Sequence, residues 1–557
     1  MTLALWLLSA ALAARPATVT VSVVGTNDLH GHIAAEREGR GGLALLGGYL
    51  TRLREVRTRD GGGVVLVDAG DMFQGTLESD LEEGAVVVQA MNALAYDGAA
   101  IGNHEFDYGP PGPDATARGP GADPRGALKA RAAEARFPFL AANLVDQASG
   151  KLVAWPNVRA ATMVERAGVR VGIVGVATLA LPRTTLAANV KGLGMAPLAA
   201  AIAREAAQLR ATGAAVVIVA AHAGGSCRDL KHPDDLASCD ASSEILEVAR
   251  ALPAGLVDVI VAGHVHAAMA QLVGGIAVIE SHTAGRAFGR VDLDLDHATM
   301  KVMAKRISPP HAVKAGEIYE GAAVRPSAAI ARLLAPAVER ARTKREELLG
   351  VVVEIALSPA FTEESAENNY IADLMRAARP RADVALMNAG GVRAALPRGP
   401  LSYGAWYEAM PFDNRFALLK LDAAELRRAV AANLRSGTGI LALSGLRAEG
   451  ACRGGRLVVT LVRQDGRPVA DGEKLTVVAS DFLATGGDGL FARVPASRME
   501  IEDGPPLRDV LADVLRRRQG TVRGDDKALY DPAAPRLSYD GRRPIQCGAV
   551  RKLRPAP

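Results

Sequence analysis

The sequence predicts an α/β chain in two parts, an N-terminal domain of strands flanked by helices and a separate α/β C-terminal domain. Three observations carry this. Apolar runs of strand length alternate with segments of helical period from about Thr18 to Leu295, the pattern that layers helices on a sheet. The length, 557 residues, exceeds what one hydrophobic core usually supports. From Val351 onward strands and helices continue, but the polar clusters that end the earlier runs do not recur.

In chain order the N-terminal runs are "VTVSVVGTNDLHGH", "GVVLVDAGD", "GAAIGNHE", "VRVGIVGVAT", "AAVVIVAAHAGG" and "VDVIVAGHVH". Between them Leu43, Leu46, Leu50 and Leu53 recur at helical spacing, as do Val87, Met91 and Leu94. The stretch from Gly109 to Gly126 is broken by Pro and Gly and reads as an exposed insertion. A charged helical stretch between Ala312 and Leu349 bridges to the second domain. The expected division is a signal segment over 1–14, a catalytic domain over 18–310, a linker helix over 311–350 and a C-terminal domain over 351–550.

Composition narrows the function classes. Apolar residues make up 49% and charged residues 23%, an ordinary globular mixture. A formal charge of +4 is too small at this length to imply a nucleic-acid polymer or a membrane surface as partner. The opening "MTLALWLLSAALAARPA" suits a secretory signal cleaved near Ala13 or Ala14, so an exported protein, periplasmic or extracellular, is expected. No other stretch reaches the length of a membrane span. Four cysteines permit disulfides in an exported chain; Cys227 and Cys239 close a short loop and are the favoured pair.

The chemistry gathers where the apolar runs end. Asp28 and His30, Asp71, Asn103 and His104, His222, and His264 and His266 each follow such a run. Six of the ten histidines (His30, His32, His104, His222, His264 and His266) fall in these clusters. Carboxylates and imidazoles in this number are a donor set for two divalent cations such as Mn, Zn or Co. Strand period two would point Asp28 and His30 the same way, onto one ion, and let His264 and His266 reach adjacent ions. Asp71 is placed to bridge, and Asn103 supplies a neutral oxygen. Asp68 reads as a turn cap, Glu105 as structural, and His32 as a support or a substrate-facing group.

The strings "NDLHGH", "DAGD", "GNHEFDYG", "AAHAGG" and "GHVH" resemble the calcineurin-like metallophosphoesterases, and "GNHEFDYG" is similar to the 5′-nucleotidase family among them. Downstream, "MNAGGVR", "MPFDNRF" and "SDFLATGGDG" look like that family's C-terminal domain. The resemblance implies a sheet sandwich flanked by helices, and a C-terminal substrate-binding domain. It implies one metal held by Asp28, His30, Asp71 and His266, and a second held by Asp71, Asn103, His222 and His264. His104 would then act on the scissile phosphate, oriented by Asp107. Phe412 and Phe482 would sandwich a nucleobase, Asn388 and Arg393 would contact phosphate or ribose, and Asp488 would meet the sugar hydroxyls.

One segment departs from the resemblance. An arginine expected just before "EESAENNYIADLM" is missing, and no Arg stands between Arg345 and Arg376. The expectation is therefore an exported monomeric hydrolase of small-molecule nucleotides, foremost a 5′-nucleotidase. A 2′,3′-cyclic-nucleotide 2′-phosphodiesterase/3′-nucleotidase or a nucleotide-sugar (UDP-sugar) pyrophosphatase is the alternative. A non-catalytic nucleotide-binding protein would lack a ligand or the His–Asp pair, and this chain has both.

Overall fold

The computed structural model describes residues 17–36, 38–112, 114–117, 121–502 and 504–547. The signal segment expected over 1–14 lies outside the described residues.

Two sheets face each other in the N-terminal region. The seven-stranded sheet runs in the order Val302–Ala312, Ala287–Asp296, Thr18–Thr26, Gly63–Asp68, Gly98–Ala100, Phe139–Leu140 and Val158–Arg159. The six-stranded sheet runs Ala268–Val273, Ile276–Ser281, Val259–Ala262, Val216–His222, Val169–Ala177 and Ala161–Arg166. Val21, Val23, Val65 and Val67 from the first meet Ile173, Ile218, Val259 and Val261 from the second in a buried layer. Helices Leu43–Arg59 and Ala85–Leu94 cover the outer face of the first sheet, and Leu198–Ala211 and Glu244–Ala251 that of the second. Strands such as Gly63–Asp68 are thus buried on both faces, which is why they read as unbroken apolar runs.

The central strands are parallel within each sheet: Thr18–Thr26 with Gly63–Asp68 and Gly98–Ala100, and Val216–His222 with Val259–Ala262. Parallel strands present their carboxyl ends at one edge, where ligand sites of α/β folds form. Among the described residues of 109–125 no strand or helix forms.

Helix Ala328–Glu346 joins the two regions. The Ser327 hydroxyl caps it by accepting from the Ile330 amide. Its Leu334 and Ala337 pack in the N-terminal core and its Ala341 in the C-terminal core. Beyond it, a five-stranded sheet runs Leu441–Ser444, Val384–Asn388, Lys474–Ser480, Phe416–Asp422 and Met499–Ile501. Helices Ala366–Ala378 and Leu507–Arg518 lie in one core against it, and Ala423–Arg435 in another. Disulfides join Cys227 to Cys239 and Cys452 to Cys547. No helix among the described residues is long and apolar enough to cross a membrane.

Candidate metal centre and substrate cavity

The loops leaving the strands zip together before any side chain is considered. The amides of Asp28, His30 and Gly31 donate to the carbonyls of Gly70, Asp71 and Met72. Glu105 accepts from the amides of Asp71 (3.0 Å), Met72 (2.7 Å) and Gly102 (2.6 Å), so it fixes the loop carrying Asp71. Gly102 is required there, because a Cβ on it would sit 2.1 Å from Asp71 Oδ1. Asp68 accepts from Thr26 Oγ1 and from the Gly70 amide, in keeping with a turn cap. Glu280 accepts from the amides of Gly225 (3.0 Å) and Ala267 (3.3 Å), tying the loop after His222 to the loop after His266.

The strand-period argument for Asp28 with His30, and for His264 with His266, is corrected by the backbone. The strands end at Thr26 and Ala262, and all four residues lie beyond them with φ of 49°, 49°, 84° and 58°. Asp71 follows its strand with φ 58°. Left-handed backbone, rather than alternation, turns these side chains inward. Asp28, His30 and His266 form one group that could hold a metal ion, and Asp71, His222 and His264 another.

The donor chemistry and spacing fit cations. His30 Nδ1 lies 2.9 Å from the Gln74 carbonyl and His222 Nδ1 2.9 Å from the Ala69 carbonyl. A carbonyl only accepts, so both Nδ1 atoms carry hydrogen and each ring turns its Nε2 inward. His30 Nε2 is 3.0 Å from His266 Nε2, which is 3.4 Å from Asp28 Oδ1. His222 Nε2 is 3.0 Å from Asn103 Oδ1, 3.1 Å from Asp71 Oδ2 and 3.2 Å from His264 Nδ1. Asn103 Nδ2 donates to the Thr184 carbonyl, which leaves its oxygen facing the centre. Carboxylate, amide and imidazole atoms able to ligate a cation therefore crowd together. Metal–nitrogen bonds of about 2.0–2.1 Å set neighbouring ligand atoms about 3.0–3.4 Å apart, and the observed separations match.

Electrostatics agree. Burial acts to raise the Asp71 carboxyl, yet His222 and His104 hold it well below the carboxylate range. Asp28 is likewise lowered, with His266 outweighing burial. Burial lowers His30 strongly and His264 to about 3, so both rings stay neutral. His222 rises to about 10 against its burial, drawn up by Asp71. The centre attracts positive charge, and a dinuclear divalent-metal site satisfies it.

His104 stands beside this set. Its Nδ1 is 2.6 Å from Asp107 Oδ2, and Thr185 donates to the other Asp107 oxygen at 2.8 Å. Its Nε2 is 4.0 Å from Asp71 Oδ2. Burial opposes charge on the ring, but Asp107 and Asp71 outweigh it and raise its pKa.

A cavity of about 870 Å³ opens from the metal groups toward the C-terminal region. Asn388, Arg393, Phe412, Phe482 and Asp488 line it together with Asp71, Asn103, His104, Asp107, His264 and His266. Arg393 Nη2 reaches 3.3 Å from Nε2 of both His30 and His266. The Phe412 ring stacks on His104, with centroids 5.3 Å apart. Asp488 is pushed up to about 6 by burial. His32, read as a support or substrate-facing group, does not line the cavity, and burial lowers it to about 4. The lining also contains Arg183, Phe361, Asn414 and the Ser436–Gly439 turn, none of which the sequence reading singled out. Asn414 lies inside "MPFDNRF" and could have been found there; the others carry no spacing signal. Across the cavity wall the Asp80 carboxylate accepts from Tyr108 (2.5 Å) and from Tyr407 of the C-terminal region (2.9 Å).

Residues 341–494 match the family described as "5′-nucleotidase, C-terminal domain". Protein UshA of Yersinia enterocolitica is 26% identical over 507 residues, covering 85% of this chain and 86% of that protein. A 5′-nucleotidase precursor from Thermus thermophilus aligns with a TM-score of 0.75 at 23% identity, over 93% of this chain and 99% of its own. The sulfate thiohydrolase SoxB of the same genus aligns with a TM-score of 0.71 at 18% identity, over 95% of this chain and 98% of its own. The fold alone thus does not select a substrate. With two metal-binding groups at the sheet edge and this C-terminal region, the chain has the architecture of a calcineurin-like metallophosphoesterase domain joined to a 5′-nucleotidase C-terminal domain, and is related to the UshA-type 5′-nucleotidases.

Proposed function

We propose that the chain is an exported, metal-dependent phosphoesterase that hydrolyses nucleotide phosphate esters, foremost a 5′-nucleotidase. One observation carries the reading: the two ligand groups, the His104–Asp107 pair and the aromatic residues Phe412 and Phe482 line or border a single cavity. Two divalent cations at the ligand groups would supply Lewis acidity, activating water and neutralising phosphoryl charge. Asp28, His30, Asp71 and His266 would hold one, and Asp71, Asn103, His222 and His264 the other, with Asp71 shared.

The remaining steps belong to the chain's own side chains. Asp107 holds His104 through Nδ1, which leaves Nε2–H as the donor toward the reacting ester. Water adds through oxygen to phosphorus, the ester P–O bond breaks, and the leaving alkoxide takes up a proton. Arg393 supplies a guanidinium for phosphoryl oxygens. Phe412 and Phe482 offer π-faces to a base, and Asn388 and Asp488 offer polar atoms to the sugar. In this reading the chain divides at 18–310, 311–350 and 351–550, with the metal chemistry in the first part and substrate binding in the last. The two disulfides suit an oxidising compartment, periplasmic or extracellular.

The test is a substrate panel on metal-stripped chain with Mn, Zn, Co or Mg restored. Turnover of AMP that requires added metal supports the reading. Absence of nucleotide turnover with two metals bound defeats it.

A further inference from the structure

Phe361 and the turn at 436–439 wall the far end of the cavity, and neither lies in a helix or strand. Gly437 and Gly439 leave the turn little to fix its own shape. Support comes from the C-terminal segment behind it. Strand Leu537–Tyr539 pairs with Leu446–Arg453, the Ile545 amide donates to the Leu434 carbonyl at 3.0 Å, and Cys547 is bonded to Cys452 of strand Leu446–Arg453. Between these ties stands Arg543. Its Nη2 donates to the carbonyls of Asn433 (2.8 Å) and Thr438 (3.0 Å), one before the turn and one within it. Its Nη1 reaches the Thr362 carbonyl, next to Phe361, at 3.4 Å. The brace continues inward: Asn433 Nδ2 donates to the Gly439 carbonyl and the Ile440 amide to the Phe361 carbonyl, both at 2.8 Å. A Cβ on Gly439 would come 3.2 Å from Phe361 Cε2, so turn and ring are in close contact.

We propose that Arg543 is a positioning residue for substrate binding: anchored by the Cys452–Cys547 disulfide, it fixes the 436–439 turn and the Phe361 loop as the wall against which the nucleoside part of the substrate packs. The inference rests on the phosphoesterase reading above. Arg543 is not among the residues lining the cavity, so it acts through the turn. A guanidinium suits the task, because its planar fork of donors spans separate carbonyls where a single ammonium cannot. Its charge also acts on Asp488, a lining residue: burial pushes that carboxyl up to about 6, while Asn388 and Arg543 pull it down. Without the brace the glycine turn gains freedom that substrate must remove on binding, and affinity falls. The metal end is held separately, through Glu105 and the amides of Asp71, Met72 and Gly102, so the chemical step does not depend on the brace.

The experiment uses the metal-loaded full chain and compares AMP with p-nitrophenyl phosphate, which lacks base and sugar. R543A should raise KM for AMP about tenfold, with kcat for p-nitrophenyl phosphate within about twofold of the native chain. R543K, which keeps the charge but not the fork, should raise KM for AMP about threefold; it carries the test if R543A does not fold. C452S/C547S should raise KM for AMP in the same direction, and adding R543A to it should give no more than R543A alone, as for residues acting in one device. An unchanged KM for AMP in R543A and R543K overturns the inference, as does an equal loss on both substrates, which marks a merely structural role. Full additivity of R543A with C452S/C547S overturns it too, by separating Arg543 from the disulfide. All three leave the phosphoesterase reading standing. No turnover of either substrate by the native chain, with both metals bound, overturns that reading and the inference together.

Discussion

At the metal end of the cavity the ligating side chains are held by backbone hydrogen bonds between strand-end loops, and most are buried. At the far end Phe482, in the short helix Asp481–Ala484, and Phe361, in a loop, pack against glycines and are half-buried and exposed respectively. The first end is built for fixed geometry, as charge stabilisation requires. The second offers flat faces, which tolerate variation in what they stack on. Substrate choice can therefore change at the far end without disturbing the chemistry.

Substitutions at the two ends should then fail differently. Asp71→Ala removes the carboxylate between the two groups; bound metal should fall from two ions per chain to at most one, and turnover should drop about 10³-fold or more. Elemental analysis and AMP hydrolysis check both. His104→Ala should lower kcat by about 10²–10⁴-fold while two metals stay bound, separating proton donation from ligation. At the far end Phe482→Ala should raise KM for AMP about tenfold through lost stacking, with a smaller effect on p-nitrophenyl phosphate. An equal effect on both substrates would place Phe482 in the chemistry and break the division.

The smallest expected effect lies outside the cavity. Glu367 is fully buried in the C-terminal core, and burial pushes its carboxyl up to about 9. The unfolded chain releases this proton near the ordinary glutamate value of 4.5, whereas the folded chain keeps it to about 9. Between those values the folded state binds the extra proton, so its contribution to stability declines as pH rises. Thermal unfolding of Glu367→Gln should show a flatter dependence across that window. An unchanged slope would mean that Glu367 does not titrate with folding.

The strand-and-helix order was legible because doubly buried strands must be apolar and the helices between them amphipathic. So was the position of Asp28, Asp71, His222 and His264 at or after strand ends. How Asp28 and His30 converge was not legible: it depends on backbone angles that no alternation pattern encodes. Glu105 was read as structural, but which loop it anchors was not legible, and Glu280 was not singled out, because one buried carboxylate looks like any other until its amide partners are known. Phe361 and Arg183 come from segments far apart in the chain, and only the folded cavity relates them.

The left-handed backbone at Asp28, His30, Asp71, His264 and His266 has a consequence for engineering. Asn, Asp and His are the non-glycine residues that adopt that conformation most readily. They are also residues with cation-binding atoms on short side chains, so one choice of residue meets both demands. Exchanging Asp71 for Glu would keep the charge but lose the turn preference and the reach together. Redesign for a different ion is thus best confined to swaps among those three residue types.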